Sequence, residues 1–457
     1  MKLKLIQSDS ADPGNNLTFF SGLTRFRAAI ALTFWTILGA VLRLIHLDSK
    51  PPWTDEFATL LYSRGDDYSG IPINEVVTAE ALLEPLKGYP VHGVWEAANL
   101  LINQDNHPPL YFMGVNLWQR FFPLDEGGYI SIYSVRLLSV IFGVLGIFGI
   151  YWVAKQVFRS EVTAQLSAAL LAMSPFGIYL AQEARHYTLI ICWAIASFRF
   201  CFYAIQLLME KRRLSYRFVL GWIVFNCVGL LIHYFFLLTL LGQAIALLWL
   251  IRKSDLLVTK SQWLRLGLVG LGMSIFGLVW LTQVLPDSYG STMTDWIRFD
   301  YQDWSDWISP VFQWAIALIT MVILLPLQVP FIPTILVAGS LMIVMSIRLI
   351  KLWWRGINLQ TKHLDMQPNI FFLSRFVVAI GGLFALVTYG FGIDITRGAR
   401  YSFVYFSAVV LLLAAGLSPF WQQENVNFFG IQKLFKIFPK SGSQRSPSSL
   451  LSAFAAV

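Results

Sequence analysis

The run FVLGWIVFNCVGLLIHYFFLLTLLGQAIALLWLI, Phe218–Ile251, decides the fold. A bilayer core takes about 20 apolar residues per helical span. This run, roughly 50 Å long as a helix, is too long for one span and reads as two short ones meeting near His233-Tyr234. Working outward, the same texture recurs in Ala28–Leu44, Tyr133–Val153, Val162–Leu180, Tyr187–Leu208, Trp263–Leu285, Phe371–Ile393 and Tyr401–Phe420. Val311–Ile350 is interrupted by Pro326, Pro330 and Pro333. One crossing there plus a re-entrant piece gives about ten spans; three crossings give twelve. The chain is expected to be an all-α polytopic membrane protein.

Composition points the same way. Of 457 residues, 56% are hydrophobic and 13% charged, with a mean hydropathy of +0.60, against roughly 25% charged in soluble proteins. A soluble globule this apolar lacks the polar surface to cover its core. The net charge of +8 carries no argument for nucleic acid, because the basic residues sit in short clusters between apolar runs. Met1–Asn16 is polar and lacks an apolar h-region, so no cleavable signal peptide is expected. Cys192, Cys201 and Cys227 lie inside apolar runs and read as inert small hydrophobes.

The basic clusters set an orientation by the positive-inside rule. Lys2, Lys4, Arg25 and Arg27 precede the first span and place the N-terminus in the cytoplasm. Lys155/Arg159, Lys211-Arg212-Arg213, Arg252-Lys253 and the tail lysines 433, 436 and 440 follow on the same side. The acids take the other side: twelve of the 26 carboxylates fall between Asp48 and Glu126, and five between Asp287 and Asp306. Residues 1–27 and 421–457 are therefore expected to be cytoplasmic, the latter with a Ser-rich disordered end, and 28–420 to form the membrane domain. Its first outer loop, 47–132, carries two amphipathic segments, Glu75–Leu86 and Val94–Leu101, suited to lie on the membrane surface. Leu110–Phe122 is apolar but short for a span.

Polar residues inside or beside spans are costly and mark function by default. Asp55-Glu56, just beyond the first span, fits either helix capping or a general base in a half-dry groove. Neighbours on a helix face different ways, so one acid reacts and the other braces. His107, in Asp105-Asn106-His107-Pro108-Pro109-Leu110-Tyr111, is fixed by the proline pair or is simply an exposed turn residue. Gln182-Glu183-Ala184-Arg185-His186-Tyr187 holds more polar side chains than a short turn needs, with a Glu183–Arg185 loop pair as the plain alternative. His233-Tyr234 sits at the turn of the divided run, where a lone histidine is more often structural. Arg397 and Arg400, ahead of Tyr401, break the cytoplasmic bias of the basic residues. They suit a phosphate, through bidentate charge-assisted bonds, or snorkel to the interface. By the topology above, all five clusters open onto one membrane face.

Arg43…Leu47…Pro51-Pro52…Asp55-Glu56, followed by His107-Pro108-Pro109-Leu110-Tyr111, Gln182-Glu183-Ala184-Arg185-His186-Tyr187 and Arg397-x-x-Arg400-Tyr401, resembles the bacterial GT-C membrane glycosyltransferases. Within them it is most similar to the protein O-mannosyltransferase-like group, which includes the aminoarabinose transferases of lipid A. The resemblance runs from about Arg43 to Tyr401. It implies a GT-C-type bundle, a polyprenyl-phosphate-linked sugar donor, and transfer to a hydroxyl acceptor with inversion at the anomeric carbon. Asp55 matches the catalytic acid and Glu56 its companion. His107 falls near the donor phosphate, and Glu183, Arg185, Tyr187, His233, Arg397, Arg400 and Tyr401 at the donor-phosphate or substrate site. Some relatives need a divalent cation, but no tight ligand cluster is visible, and no cofactor is expected. No soluble domain follows the last span, which turns the expectation from a protein acceptor to a glycolipid or cell-surface glycan. The expected setting is the bacterial inner membrane with the site on its outer face. The rival from another class is a lipid-phosphate transporter or flippase, in which the same arginines bind without chemistry. Transporter sites usually lie near the midplane on broken helices, and here the polar groups gather at one face. An inactive scaffold subunit is a weaker rival, opposed by the intact Asp55-Glu56 pair.

Overall fold

A computed structural model describes residues 14–70, 75–90, 92–105, 107–253, 258–284, 296–298, 303–327, 329–362 and 366–422. Among them the secondary structure is helical, apart from the isolated bridges Lys87↔Tyr129 and Arg298↔Ile393. The main unit is Met1–Pro419; of the remainder only the end of the last helix, Phe420–Gln422, is described. Of the expected cytoplasmic segments, 1–13 and 423–457 lie outside the described residues, and 14–27 form the start of the first helix.

Among the described residues eight helices, or nine with a bent pair, are long and apolar enough to cross a membrane. In chain order the helices are α1 (Gly14–Leu44), α2 (Thr54–Arg64), α3 (Ala79–Leu83), α4 (Val94–Gln104), α5 (Leu110–Gln119), α6 (Ile132–Phe158), α7 (Glu161–Met173) and α8 (Pro175–Ala181). Then come α9 (Tyr187–Met209), α10 (Tyr216–Leu230), α11 (Phe236–Lys253), α12 (Lys260–Val284), α13 (Trp304–Thr320), α14 (Ile332–Gln360), α15 (Gln367–Ala385) and α16 (Phe403–Gln422). The run that opened the sequence analysis divides as expected, into α10 and α11 with a break over 231–235. Val311–Ile350 becomes one long apolar helix, α14, preceded by the 17-residue α13. The prolines expected to interrupt it fall between the two helices or, for Pro333, in the first turn of α14, where a missing N–H costs nothing.

Val162–Leu180, expected as one span, is not one continuous helix. It breaks at Ser174-Pro175 into α7 and α8, bent by 55°. Pro175 cannot donate to the preceding turn, while Ser174 Oγ accepts from Gly177 N at 3.0 Å and donates to Met321 O at 2.7 Å. The last carbonyls of α7 would be left bare, and Arg43 of α1 supplies their donors: Nη2 to Leu171 O and Nη1 to Ala172 O, both at 2.9 Å, with a third bond to its own Gly39 O. Its side chain is fully buried. At Gly39 a Cβ would lie 3.2 Å from both Ala172 Cβ and Arg43 Nη1, tighter than an ordinary contact. A charged group is thus buried in the bundle because a bent helix exposes acceptors to it.

The first loop folds on a small core of its own. Leu60, Leu61 and Tyr62 of α2, Leu101 of α4, and Tyr111, Phe112 and Val115 of α5 pack with Val135 of α6 and Ala184. Here α5, too short to span, finds its partners. The segment Glu75–Leu86 is helical only from Ala79, because Thr78 Oγ1 caps the turn by accepting Ala81 N at 3.2 Å. Gly65 closes α2 at φ 82°, and a Cβ there would come within 2.6 Å of His92 Cβ, so the turn from α2 into the rest of the loop requires glycine.

Candidate active site

The end of α1, the starts of α2, α6 and α9, the break between α10 and α11, and the turns before α16 meet at one end of the bundle. Asp55 and Glu56 stand next to each other in the first turn of α2 with opposite surroundings. Glu56 is 1% exposed. Its Oε1 accepts from Arg136 Nε at 2.8 Å and Ala184 N at 2.7 Å; its Oε2 accepts from Arg136 Nη2 at 2.7 Å and from Trp53 N at 3.4 Å. Arg136 spends its other donors on Leu47 O, Lys50 O and Pro51 O, so all five guanidinium N–H groups are used. This buried fork ties the chain after α1, the start of α2, α6 and the α8–α9 turn together.

Asp55 is partly open, with 29% of its side chain exposed. Its Oδ2 lies 3.7 Å from Arg185 Nη2 and 3.5 Å from Arg400 Nη2, beyond the 2.7–2.9 Å of a charge-assisted hydrogen bond. The carboxylate is therefore held by charge without being locked. Arg185 is fixed by other bonds. Its Nη1 donates to Asp55 O and Thr59 Oγ1, both at 3.1 Å, and its Nη2 meets His107 Nε2 at 3.0 Å. A guanidinium can only donate, so Nε2 is the acceptor and the ring proton sits on Nδ1, which faces the buried Asp105 carboxylate at 3.0 Å. Asp105, His107, Arg185 and Asp55 form one continuous polar chain. Arg400 stands differently: its guanidinium lies over the rings of Trp53 (4.7 Å), Trp296 (5.4 Å) and Tyr401 (5.6 Å), although its Nε, like that of Arg185, has no hydrogen-bond partner among the described residues.

Behind these groups lies an aromatic stack. His186 packs 4.6 Å from His233 and 4.9 Å from Tyr187, ring centre to ring centre, and His233 lies 4.7 Å from Phe403. Burial holds both imidazoles well below their ordinary pKa of 6.5, helped for His186 by His233 and Arg185 and for His233 by His107 and Arg185. Both histidines therefore refuse a proton that the unfolded chain accepts below about pH 6.5. Their contribution to stability is complete above that pH and is lost as pH falls toward the folded values, by about 1.4 kcal/mol per pH unit for each ring. We expect the melting temperature in detergent to fall from pH 7 to pH 5, and H186F to flatten that fall. Equal slopes for H186F and wild type would refute the assignment. Glu183, beside Tyr179, is shifted the other way: burial raises its carboxyl pKa, against the pull of the Tyr179 hydroxyl, Arg400 and Arg185.

The structure therefore gathers Asp55, His107, Glu183, Arg185, Tyr187, His233, Arg400 and Tyr401 at one site. Arg397 is not at Asp55. Its Nη1 donates to Trp296 O at 3.0 Å and Arg298 O at 3.2 Å, and its Nε faces Asp394 at 3.3 Å, which fastens 296–298 to the turn before α16. Sequence reasoning missed Arg136, whose one signal is a basic residue near the start of an apolar span. It also missed Ser139, whose hydroxyl accepts from Tyr111 and donates to Arg185 O, each at 3.0 Å. Among the described residues no three His, Cys, Asp or Glu side chains converge as a metal site. Asp55 faces two guanidinium groups, whose charge opposes a dication at that carboxylate.

Residues 106–280 match the family model of the dolichyl-phosphate-mannose-protein mannosyltransferases. The fold is similar to that of ArnT from Cupriavidus metallidurans, solved bound to undecaprenyl phosphate, with a TM-score of 0.51 and 16% identity, covering 88% of this chain and 62% of that one. A second match is the archaeal oligosaccharyltransferase AglB from Archaeoglobus fulgidus, solved with an inhibitory peptide and a dolichol-phosphate, with a TM-score of 0.46 and 12% identity, covering 95% of this chain and 55% of that one. The chain thus spans less than two thirds of the length of either. No curated protein matches the sequence. The chain is a multi-pass membrane protein of the GT-C fold, and its residues 106–280 carry the pattern of the dolichyl-phosphate-mannose-protein mannosyltransferase family.

Proposed function

We propose that the chain is a membrane glycosyltransferase that moves a sugar from a polyprenyl-phosphate donor to a hydroxyl of a glycolipid or cell-surface glycan, with inversion. The observation that carries this reading is the half-open Asp55 carboxylate held between Arg185 and Arg400. In the reaction, Asp55 takes the proton of the acceptor hydroxyl as that oxygen bonds to the sugar C1. The bond from C1 to the phosphate oxygen breaks, and its electron pair leaves on the polyprenyl phosphate. Arg400 is the more accessible cation to receive that charge, with 17% of its side chain exposed against 2% for Arg185; Arg185, fixed by His107 and Thr59, adds its field. His107 keeps Arg185 in place. An apolar cavity of about 260 Å³ beside Tyr111, walled by Leu117, Trp118, Phe121, Leu138 and Leu189, suits a polyprenyl chain.

The charge pattern supports an outer-face site in an inner membrane with both termini cytoplasmic. The test is direct: purified protein in detergent, a panel of polyprenyl-phosphate sugars, a membrane extract as acceptor, and release of polyprenyl phosphate as the readout. Release with at least one donor is expected. Binding of these lipids with no turnover of any would overturn the enzyme reading in favour of a lipid-phosphate transporter.

A further inference from the structure

At the other end of α6 and α9 lies a second cavity, of about 430 Å³, far from Asp55. The 27 residues of α6 put about 40 Å between the two ends. Its walls bring together Arg159, Arg199, Gln156, Gln206 and Asn369 on one side of its chemistry and Phe158, Phe202 and Met366 on the other.

Two arginines in such a place ask for an explanation. Arg199 sits some three turns inside the end of α9, about 15 Å along its axis, where a charge is costly without a purpose. Among the described residues its guanidinium has one hydrogen bond, from Nε to Gln156 Oε1, and lies 5.1 Å over the Tyr203 ring. Among the described residues that leaves both Nη groups of Arg199 without a hydrogen-bond acceptor. Arg159 caps α6 in the left-handed region at φ 47°, a position glycine takes without strain, so an arginine there points to a use for its side chain. Among the described residues lining the cavity the one carboxylate is Glu210, and it is engaged by Arg212 at 3.0 Å and Gln206 at 2.8 Å. The net charge on the wall is positive, and the two amides Gln156 and Asn369 add neutral polar groups beside it.

We propose that this cavity binds a phosphoryl oxyanion between Arg159 and Arg199, namely the headgroup phosphate of an anionic phospholipid. Forked guanidinium donors match phosphate oxygens, and a basic pocket between spans at a membrane face is the setting in which lipid headgroups are held. The apolar wall of Phe158, Phe202 and Met366 suits the first methylenes of an acyl chain, which a free phosphate does not have. The site is independent of the sugar-transfer reading, because it shares no residue with Asp55 and its partners.

The test uses the full chain, purified and delipidated in detergent, with native mass spectrometry as the readout. Phosphatidylglycerol should be retained as one molecule per chain at least tenfold better than phosphatidylcholine. R159Q should lower that preference at least threefold and the double variant R159Q/R199Q abolish it, while R199K keeps part of it. R159Q alters an exposed side chain, so its melting temperature should match wild type and separate lost binding from lost folding. Inorganic phosphate is the second arm. If millimolar phosphate displaces the lipid, the oxyanion is the recognised group and soluble phosphate shares the site; if it does not, the lipid is the ligand. Equal retention of the two lipids by wild type, or full phosphatidylglycerol retention by folded R159Q/R199Q, would overturn the proposal.

Discussion

D55N is expected to lower sugar transfer by about 10²- to 10⁴-fold, the usual worth of a positioned general base, with little change in melting temperature. The amide has the shape of the carboxylate but cannot take the acceptor proton. Stability should hold because Asp55 is partly solvated and its ion pairs are long, at 3.5 and 3.7 Å, beyond the 2.7–2.9 Å of a charge-assisted hydrogen bond. Arg185 keeps His107, Thr59 and the Asp55 carbonyl as partners, so its guanidinium stays put. Removing the carboxylate also removes a negative charge beside the lipid phosphate, so binding of polyprenyl phosphate should be as tight as in wild type or tighter. The combination of folded protein, retained lipid and lost turnover identifies a base. Turnover within threefold of wild type would take Asp55 out of the proton transfer.

The neighbouring acid should behave in the opposite way. E56A or R136A each leaves one half of a buried charge pair alone, and breaking such a pair costs about 3–5 kcal/mol. Because the pair ties α2, α6 and the α8–α9 turn, the loss should appear first as a lower melting temperature and poor recovery from the membrane. Activity per folded molecule should be reduced less than in D55N. An apolar replacement of both partners, E56M/R136M, should recover part of the stability, since it removes both charges at once. A normal melting temperature for E56A with transfer abolished would instead move Glu56 into the chemistry.

That division of labour was half legible in the sequence. Adjacent residues on a helix face about 100° apart, so one acid had to brace, but which one depends on what tertiary structure puts opposite each. Arg136 decides it, and Arg136 looks in the sequence like any basic residue near the start of a span. Arg397 and Arg400 pose the same problem. Both precede α16, yet Gly398 separates two short 3-10 turns, and only Arg400 turns toward Asp55. The spans themselves were legible because apolar runs of bilayer length have few other meanings. The bend in α7–α8 was not, because Ser174-Pro175 permits a straight kinked helix as well as a broken one, and the choice rests on Arg43 reaching across from α1.

The ion pair between Asp55 and Arg400 has a consequence for heredity and for assembly alike. It closes nearly the whole described chain into one loop, and Arg185 joins it from 130 positions away. The segment that matches the mannosyltransferase family, 106–280, contains neither Asp55 nor Arg400. The site is therefore no portable cassette: a crossover between relatives anywhere from α2 to the turns before α16 splits it. Contacts of such high sequence separation are also slow to form, so Asp55 meets Arg400 only after much of the chain between them is in place.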